Sequence, residues 1–186
     1  MAFTESNMID LGTMAPDFTL PDTVSGKDIS FSDIKGENGT LVIFLCNHCP
    51  YVIHINEELV KLCNDYASKG IGSVGISSND VENYPDDSPE KMKVHAETEK
   101  YPFPYLYDET QEIATAYGAT HTPHVYLLDK NRTVQYIGAI DNNANDAQEA
   151  SEFYLSDAIS ALKAGKKPSP DFTKAVGCTI KWKSTN

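Results

Sequence analysis

Arginine is almost absent: Arg132 is the single one in 186 residues, and 15 basic side chains stand against 27 acidic ones, a formal net charge of −12. So acidic a chain repels phosphate backbones and anionic lipid, which argues against nucleic acid or a membrane surface as partner. Long apolar runs are missing too. The longest, Leu41-Val42-Ile43-Phe44-Leu45-Cys46, falls far short of the ~20 residues a membrane-spanning helix needs. The opening Met1-Ala2-Phe3-Thr4-Glu5-Ser6 has no basic stretch followed by an apolar one, so no secretory signal is expected and a soluble, cytoplasmic protein is. With 11 glycines and 10 prolines, neither a collagenous nor a disordered chain fits. Four cysteines do not make a disulfide scaffold; in a reducing compartment, two of them three apart suggest redox chemistry or metal binding.

What is present predicts one domain over residues 1–186, with its core at about 16–165 and a tail at 166–186. Residues Phe18 to Phe31 read as a hairpin turning at Ser25-Gly26. Thr40 to Cys46 is a continuous apolar run of strand length, the pattern of a strand covered on both faces. From Pro50 to about Ser68 the period becomes helical, with Val52, Ile55, Leu59, Leu62, Cys63 and Tyr66 on one stripe. Gly70 stops this helix and Ile71 to Ser78 reads as a second buried strand. Ser88-Pro89-Glu90 opens a charged surface helix, and Asp108-x-x-Gln111 resembles a capping box ahead of Ile113, with Gly118 past the helix end. Two strands, HVYLLD and TVQYIGAI, pair through the turn Asp129-Lys130-Asn131-Arg132, and a last helix, capped by Asn145, is expected from about Ala147 to Lys163. This order predicts an α/β protein with a central mixed sheet flanked by helices and an N-terminal β-hairpin.

The chemistry concentrates at Cys46-Asn47-His48-Cys49-Pro50, where a buried strand meets a helix. A helix N-terminus presents unpaired N–H groups and a positive partial charge, worth about 0.3–2 kcal/mol to a thiolate and so roughly 0.2–1.5 pKa units. A protonated His48 would add to this. Proline is favoured at the first helical position, so Pro50 places Cys49 at the N-cap, the expected nucleophile, with Cys46 as its disulfide partner. Thr122-Pro123 begins a strand well downstream of the sulfur motif. Of the flanking histidines, His124 reads as a solvated loop residue. Cys63 belongs to the apolar stripe of its helix. Cys178, in a tail with Ile180 and Trp182, is either packing or a resolving thiol. His54 and His95 sit on polar helical positions with no specific role.

The segments APDFTLPD, LVIFLCNHCPYV, NYPDDSPEKM, FPYLYDETQEIATAYGA and GCTIKWK resemble the peroxiredoxin-like redoxins of the alkyl hydroperoxide reductase/thiol-specific antioxidant group. The resemblance runs from about Pro16 to Lys183, and CNHCPYV is its most specific part. It implies a thioredoxin-like fold with the redox cysteine at the first long helix and a cis-proline loop, at Pro123, opposite. Aligned with redoxin strands of the form LVxFWAxWC, it also puts Cys49 at the first redox cysteine. Two departures matter. The peroxidase pattern Pro-x-x-x-Thr/Ser-x-x-Cys would need proline and hydroxyl at Val42 and Cys46, counted back from Cys49, or at Gly39 and Ile43, counted back from Cys46. Relatives often carry cysteine before the Thr-Pro pair, where this chain has His121.

The leading expectation is therefore a thiol–disulfide oxidoreductase that needs no cofactor. In it Cys49 attacks a disulfide-bearing protein, small disulfide or peroxide, Cys46 resolves the product, His48 raises the thiolate population, Thr122 and Pro123 position the substrate, and an external thiol restores the dithiol. A thiol peroxidase, with a Cys49 sulfenic acid resolved by Cys46 or Cys178, comes second. A copper or zinc carrier using Cys46, Cys49 and His121 comes third.

Overall fold

The structure is a computed structural model that describes residues 8–184; the Met1–Ser6 segment read for a secretory signal lies outside the described residues. The first apolar run becomes β3 (Gly39–Phe44), buried along its whole length. It is central in a five-stranded sheet of order β5-β4-β3-β7-β8. On one side β3 pairs in parallel with β4 (Ile71–Ser77), which pairs in parallel with β5 (Tyr105–Tyr107). On the other it runs antiparallel to β7 (His124–Leu128), which pairs with β8 (Val134–Gly138). Because side chains alternate across a strand, β3 feeds two cores. Leu41 and Ile43 join Val52, Leu59, Tyr105 and Ile159 on one face, while Val42 and Phe44 join Phe18, Phe31, Tyr117 and Tyr126 on the other. This explains why the run is apolar without alternation.

The N-terminal hairpin forms from β1 (Thr19–Pro21) and β2 (Asp28–Ser30), turning through Gly26 at a φ of +74°. A single helical turn, α1 (Phe31–Ile34), follows it. The long helix α2 (Pro50–Ala67) buries Val52, Ile55, Leu59 and Cys63, the expected stripe, against the first core. It also buries Asn56, whose amide oxygen accepts from the Tyr101 hydroxyl (2.7 Å) while that hydroxyl lies 3.0 Å from His95 Nε2. His95 is therefore half-buried in a polar cluster, whereas His54 is exposed. Helix α3 (Pro89–Glu99) starts where Ser88 Oγ accepts from Lys91 N.

Three expectations need correction. Helix α4 (Glu112–Tyr117) is not opened by a capping box: Gln111 adopts a left-handed conformation, and the Asp108 carboxylate accepts from Ala114 N (2.9 Å) and Ile113 N (3.3 Å). Gln111 instead sends its amide to the carbonyls of Ser78 and Lys181. The last helix, α5 (Tyr154–Lys163), begins seven residues later than expected, after an isolated 3₁₀ turn over Ala147–Glu149. Asp146, not Asn145, caps that turn by accepting from Gln148 N, and Asn142 accepts from Ser151 N and Glu152 N, holding the intervening loop closed.

The third correction concerns His124, which is 1 % exposed rather than solvated. It opens β7 opposite Phe44, and its Nδ1 accepts from Thr120 N. Burial, with the charge of His121 adding, pushes its pKa down to about 3. The unfolded ring takes up its proton near pH 6.5, the folded one only near pH 3, so stability from a neutral His124 is complete above pH 6.5 and drains as pH falls between the two. The expected slope is about 1.4 kcal/mol per pH unit, hence a loss of about 2 kcal/mol from pH 6.5 to 5. Urea melts of His124→Asn should show that much less acid sensitivity; equal sensitivity in the two proteins would refute the assignment.

The tail returns to the sheet's end. Strand β9 (Cys178–Thr179) pairs antiparallel with β6 (His121–Thr122), bringing Cys178 opposite Thr122. Among the described residues, no helix is long and apolar enough to cross a membrane.

Candidate functional site

Strand β3 delivers its chain to the sulfur loop at the C-terminal end of this central strand, and Pro50 starts α2 at once, leaving Cys49 as N-cap in an extended conformation. The peptide bond between Thr122 and Pro123 is cis. Thr122 lies against the loop: its hydroxyl is 3.3 Å from Cys46 Sγ, and its carbonyl accepts from the Cys49 thiol at 3.4 Å. The tail supplies a third sulfur: Cys178 stands opposite Thr122, whose carbonyl Cys49 meets, and packs against the cluster that holds Cys46 and Cys49.

The three thiols are electrically unequal. Cys49 is held well below the ordinary thiol range, first by a hydrogen bond from Cys46 and then, against the effect of burial, by Cys178 and by the N–H groups of Val52 and Cys178. Cys46 is pushed far up, first because it donates to Cys49 and second by its own burial. Cys178 is raised by burial and by the same sharing with Cys49. This inequality favours the anion on the sulfur at the helix N-terminus, where the backbone N–H groups can hold it once the proton shared with the Thr122 carbonyl is gone. The fourth cysteine, Cys63, lies apart in the core, where burial pushes it up to about 12.

A buried carboxylate that the sequence did not flag organises the loop. Asp87 is 0 % exposed and accepts from Asn47 N at 2.8 Å and from the Asn79 side-chain amide at 2.9 Å. His48 Nδ1 approaches it to 2.7 Å, off the line of an aligned hydrogen bond, and the His48 ring stacks on Tyr84. Asn47 also accepts from the Tyr105 hydroxyl and donates to the Asp86 carbonyl. His48, expected to act on the sulfurs, is tethered to Asp87 and is not among the groups that hold Cys49 down. The only sequence signal was the acidic pair before Ser88-Pro89, which reads as a helix start.

Cys46, His48 and Asp87 bring one possible metal-ligand atom each within 4.8 Å of one another. Both Asp87 oxygens already accept hydrogen bonds and the Cys46 proton is held on sulfur, a donor set that suits a hydrogen-bonded loop better than a cation. His121 does not belong to that group; its Nδ1 pairs with the Thr120 hydroxyl at 2.7 Å. Arg132 lies on the other layer, over the Phe31 ring and 3.7 Å from Asp17. Beside the sulfurs, Pro123 and the first turns of α2, through Tyr51 and Ile55, line a cleft of about 400 Å³ that Ile140, Asp141 and Val176 complete.

A crystal structure of an uncharacterized conserved protein from Geobacillus kaustophilus superposes with a TM-score of 0.90 at 45% identity, covering 97% of this chain and 96% of that one. The thiol-disulfide oxidoreductase ResA of Geobacillus thermodenitrificans is 28% identical over 140 residues, 73% of this chain and 72% of its own length. The chloroplastic peroxiredoxin Q of Gentiana triflora is 26% identical over 136 residues, 69% of this chain and 58% of its own length. The peroxidoxin BcpB of Mycobacterium tuberculosis, at 19% identity and a TM-score of 0.63, shares the fold. Residues 11–137 match the AhpC/TSA family pattern. With a thioredoxin-like fold, a helix-capping thiol and a match over most of its length, the chain belongs to the AhpC/TSA family.

Proposed function

We propose that the protein is a thiol–disulfide oxidoreductase whose Cys46 and Cys49 cycle between dithiol and disulfide. The observation that carries this reading is the unequal sharing of protons at the helix N-terminus. Cys49 is the sulfur poised as thiolate, and Thr122 touches both sulfurs, its hydroxyl 3.3 Å from Cys46 and its carbonyl 3.4 Å from Cys49. A thiolate is both the attacking and the leaving species in disulfide exchange, so a low-pKa sulfur flanked by a second thiol can pass electrons in either direction. The substrates would be disulfides or dithiols, of a protein or a small molecule, with an external thiol or disulfide returning the pair to its starting state. Thr122 and the cis-Pro123 would orient the substrate backbone, and the adjoining cleft would take its side chains.

Two features favour exchange over peroxide reduction. No hydroxyl residue stands at the position a peroxidase would need before Cys49, since Val42 and Cys46 occupy those places. The single arginine packs over Phe31, in the core layer opposite the sulfurs, and is not there to polarise a peroxide.

Oxidation of the reduced protein with one equivalent of a diamide oxidant, followed by peptide mapping, tests the reading. A disulfide that includes Cys49 is expected. Recovery of Cys46, Cys49 and Cys178 all as free thiols, under conditions that oxidise a simple dithiol, would overturn it.

A further inference from the structure

The buried positions of the two motif sulfurs pose a problem of access. Cys46 is 1 % exposed and Cys49 0 %, yet disulfide exchange needs a sulfur that an outside sulfur can approach in line. Cys178 is the member of the cluster that reaches the surface. It is also the one whose placement depends on long-range contacts. Thr122 pairs with it across β6 and β9, Ile180 N donates to the Thr120 carbonyl, and Lys181 N donates to Asn79 Oδ1. The same Asn79 donates to Asp87, so the tail and the sulfur loop hang on one polar network. Gly177 makes the approach possible: a Cβ there would lie 2.0 Å from the Thr122 carbonyl oxygen.

We infer that Cys178 is the outward-facing thiol of a three-cysteine relay, on which the external partner forms its mixed disulfide, and that Cys49 beneath it exchanges with both Cys178 and Cys46. This rests on the proposed exchange activity and specifies its route. In the oxidised relay a Cys49–Cys178 disulfide presents its Cys178 sulfur outward. A partner thiolate attacks that sulfur, the Cys49–Cys178 bond breaks as the partner–Cys178 bond forms, and Cys49 leaves as thiolate. A second partner thiolate then attacks the partner sulfur of the adduct. Cys178 leaves and takes a proton from solvent, and two partner thiols have become one disulfide while two protein thiols have been restored. Inside, the Cys178 thiolate attacks Cys49 in a Cys46–Cys49 disulfide and displaces Cys46, which takes the proton, so the same oxidising equivalent moves outward without net electron change. The reverse sequence reduces a partner disulfide. The preference of Cys49 for the thiolate makes it the better leaving group of the two, which directs the partner's attack to Cys178.

The test uses the full chain and reduced glutathione. Cys46→Ser, oxidised with diamide, should hold a Cys49–Cys178 disulfide, and glutathione added to it should be recovered by peptide mapping on Cys178. Glutathione on Cys49, or no Cys49–Cys178 bond, would overturn the relay. In parallel, Cys178→Ser, carrying an oxidised Cys46–Cys49 pair, should be reduced by glutathione about tenfold more slowly than wild type, or slower still. A rate equal to or above wild type would mean that the tail swings aside to expose Cys49, which sinks the relay but leaves the exchange activity standing. Failure of wild type to form any disulfide at Cys49 sinks both. Quenching the wild-type reaction early and mapping its first adduct gives the same answer without a substitution, with Cys178 expected to carry it.

Discussion

Cys49→Ser should lose disulfide turnover altogether, with the protein-dependent rate of insulin reduction by dithiothreitol falling by about a thousandfold or more, to background. The reason is the chemistry of the position. Hydrogen bonds from two thiols and two backbone N–H groups favour an anion at residue 49. They suffice to ionise a thiol from about pH 8.5, but not a hydroxyl, whose proton is held many units more tightly. Under the relay, Cys49 is also the sulfur common to both disulfides, so its loss leaves Cys46 and Cys178 without a shared partner. Cys63→Ala is the control. That thiol lies in the core, raised to about 12, on the buried stripe of α2, and its removal should leave the rate unchanged. Wild-type turnover in Cys49→Ser would end the exchange reading.

The features that carry this expectation were legible in the sequence to different depths, for physical reasons. The position of Cys49 was readable because it is set locally: proline at the first helical position fixes the cap one residue earlier, and Cys49 caps α2 in the structure. Strand β3 was readable because both its faces are buried, which leaves an unbroken apolar run. The mixed α/β sheet followed from the order of the elements, and the thioredoxin-like fold from the resemblance. Asp87 was not readable, since its partners Asn47 and Asn79 are 40 and 8 residues away and nothing in DDSP marks one acid as buried. His124 was misplaced because its environment comes from register. It stands opposite Phe44 only because β3 pairs with β7, a neighbour some eighty residues on. The late start of α5 had the same origin: Asn142 and Asp146 offer side-chain acceptors to nearby N–H groups, and this local competition holds residues 147–153 out of the helix that propensity alone would extend.

Asp87→Ala should be the most destabilising single change near the sulfurs. The carboxylate is wholly buried and serves three partners at once: Asn47 N and the His48 ring in the sulfur loop, and the Asn79 amide after β4. Alanine leaves the half-buried Asn47 N–H and the buried Asn79 amide without acceptors and removes the carboxylate that tethers His48. Breaking a buried charged network from one side costs about 3–5 kcal/mol. At about 2–4 °C per kcal/mol for a protein of this size, the melting temperature of the reduced protein should fall by about 10 °C. Asp87→Asn keeps one acceptor for Asn47 N but turns an amide donor toward Asn79 or His48, and should fall in between. The loss should be felt at the sulfurs as well, because Asn79 also accepts from Lys181 N, just past the strand that carries Cys178. Both the loop that ends in Cys49 and the tail that covers it would loosen together, so iodoacetamide should label Cys49 faster in Asp87→Ala than in wild type. A melting temperature within 2 °C of wild type, checked by scanning calorimetry, would show that Asp87 does not clamp the loop. Unchanged labelling alongside a large loss of stability would show that its work is structural and stops short of the thiols.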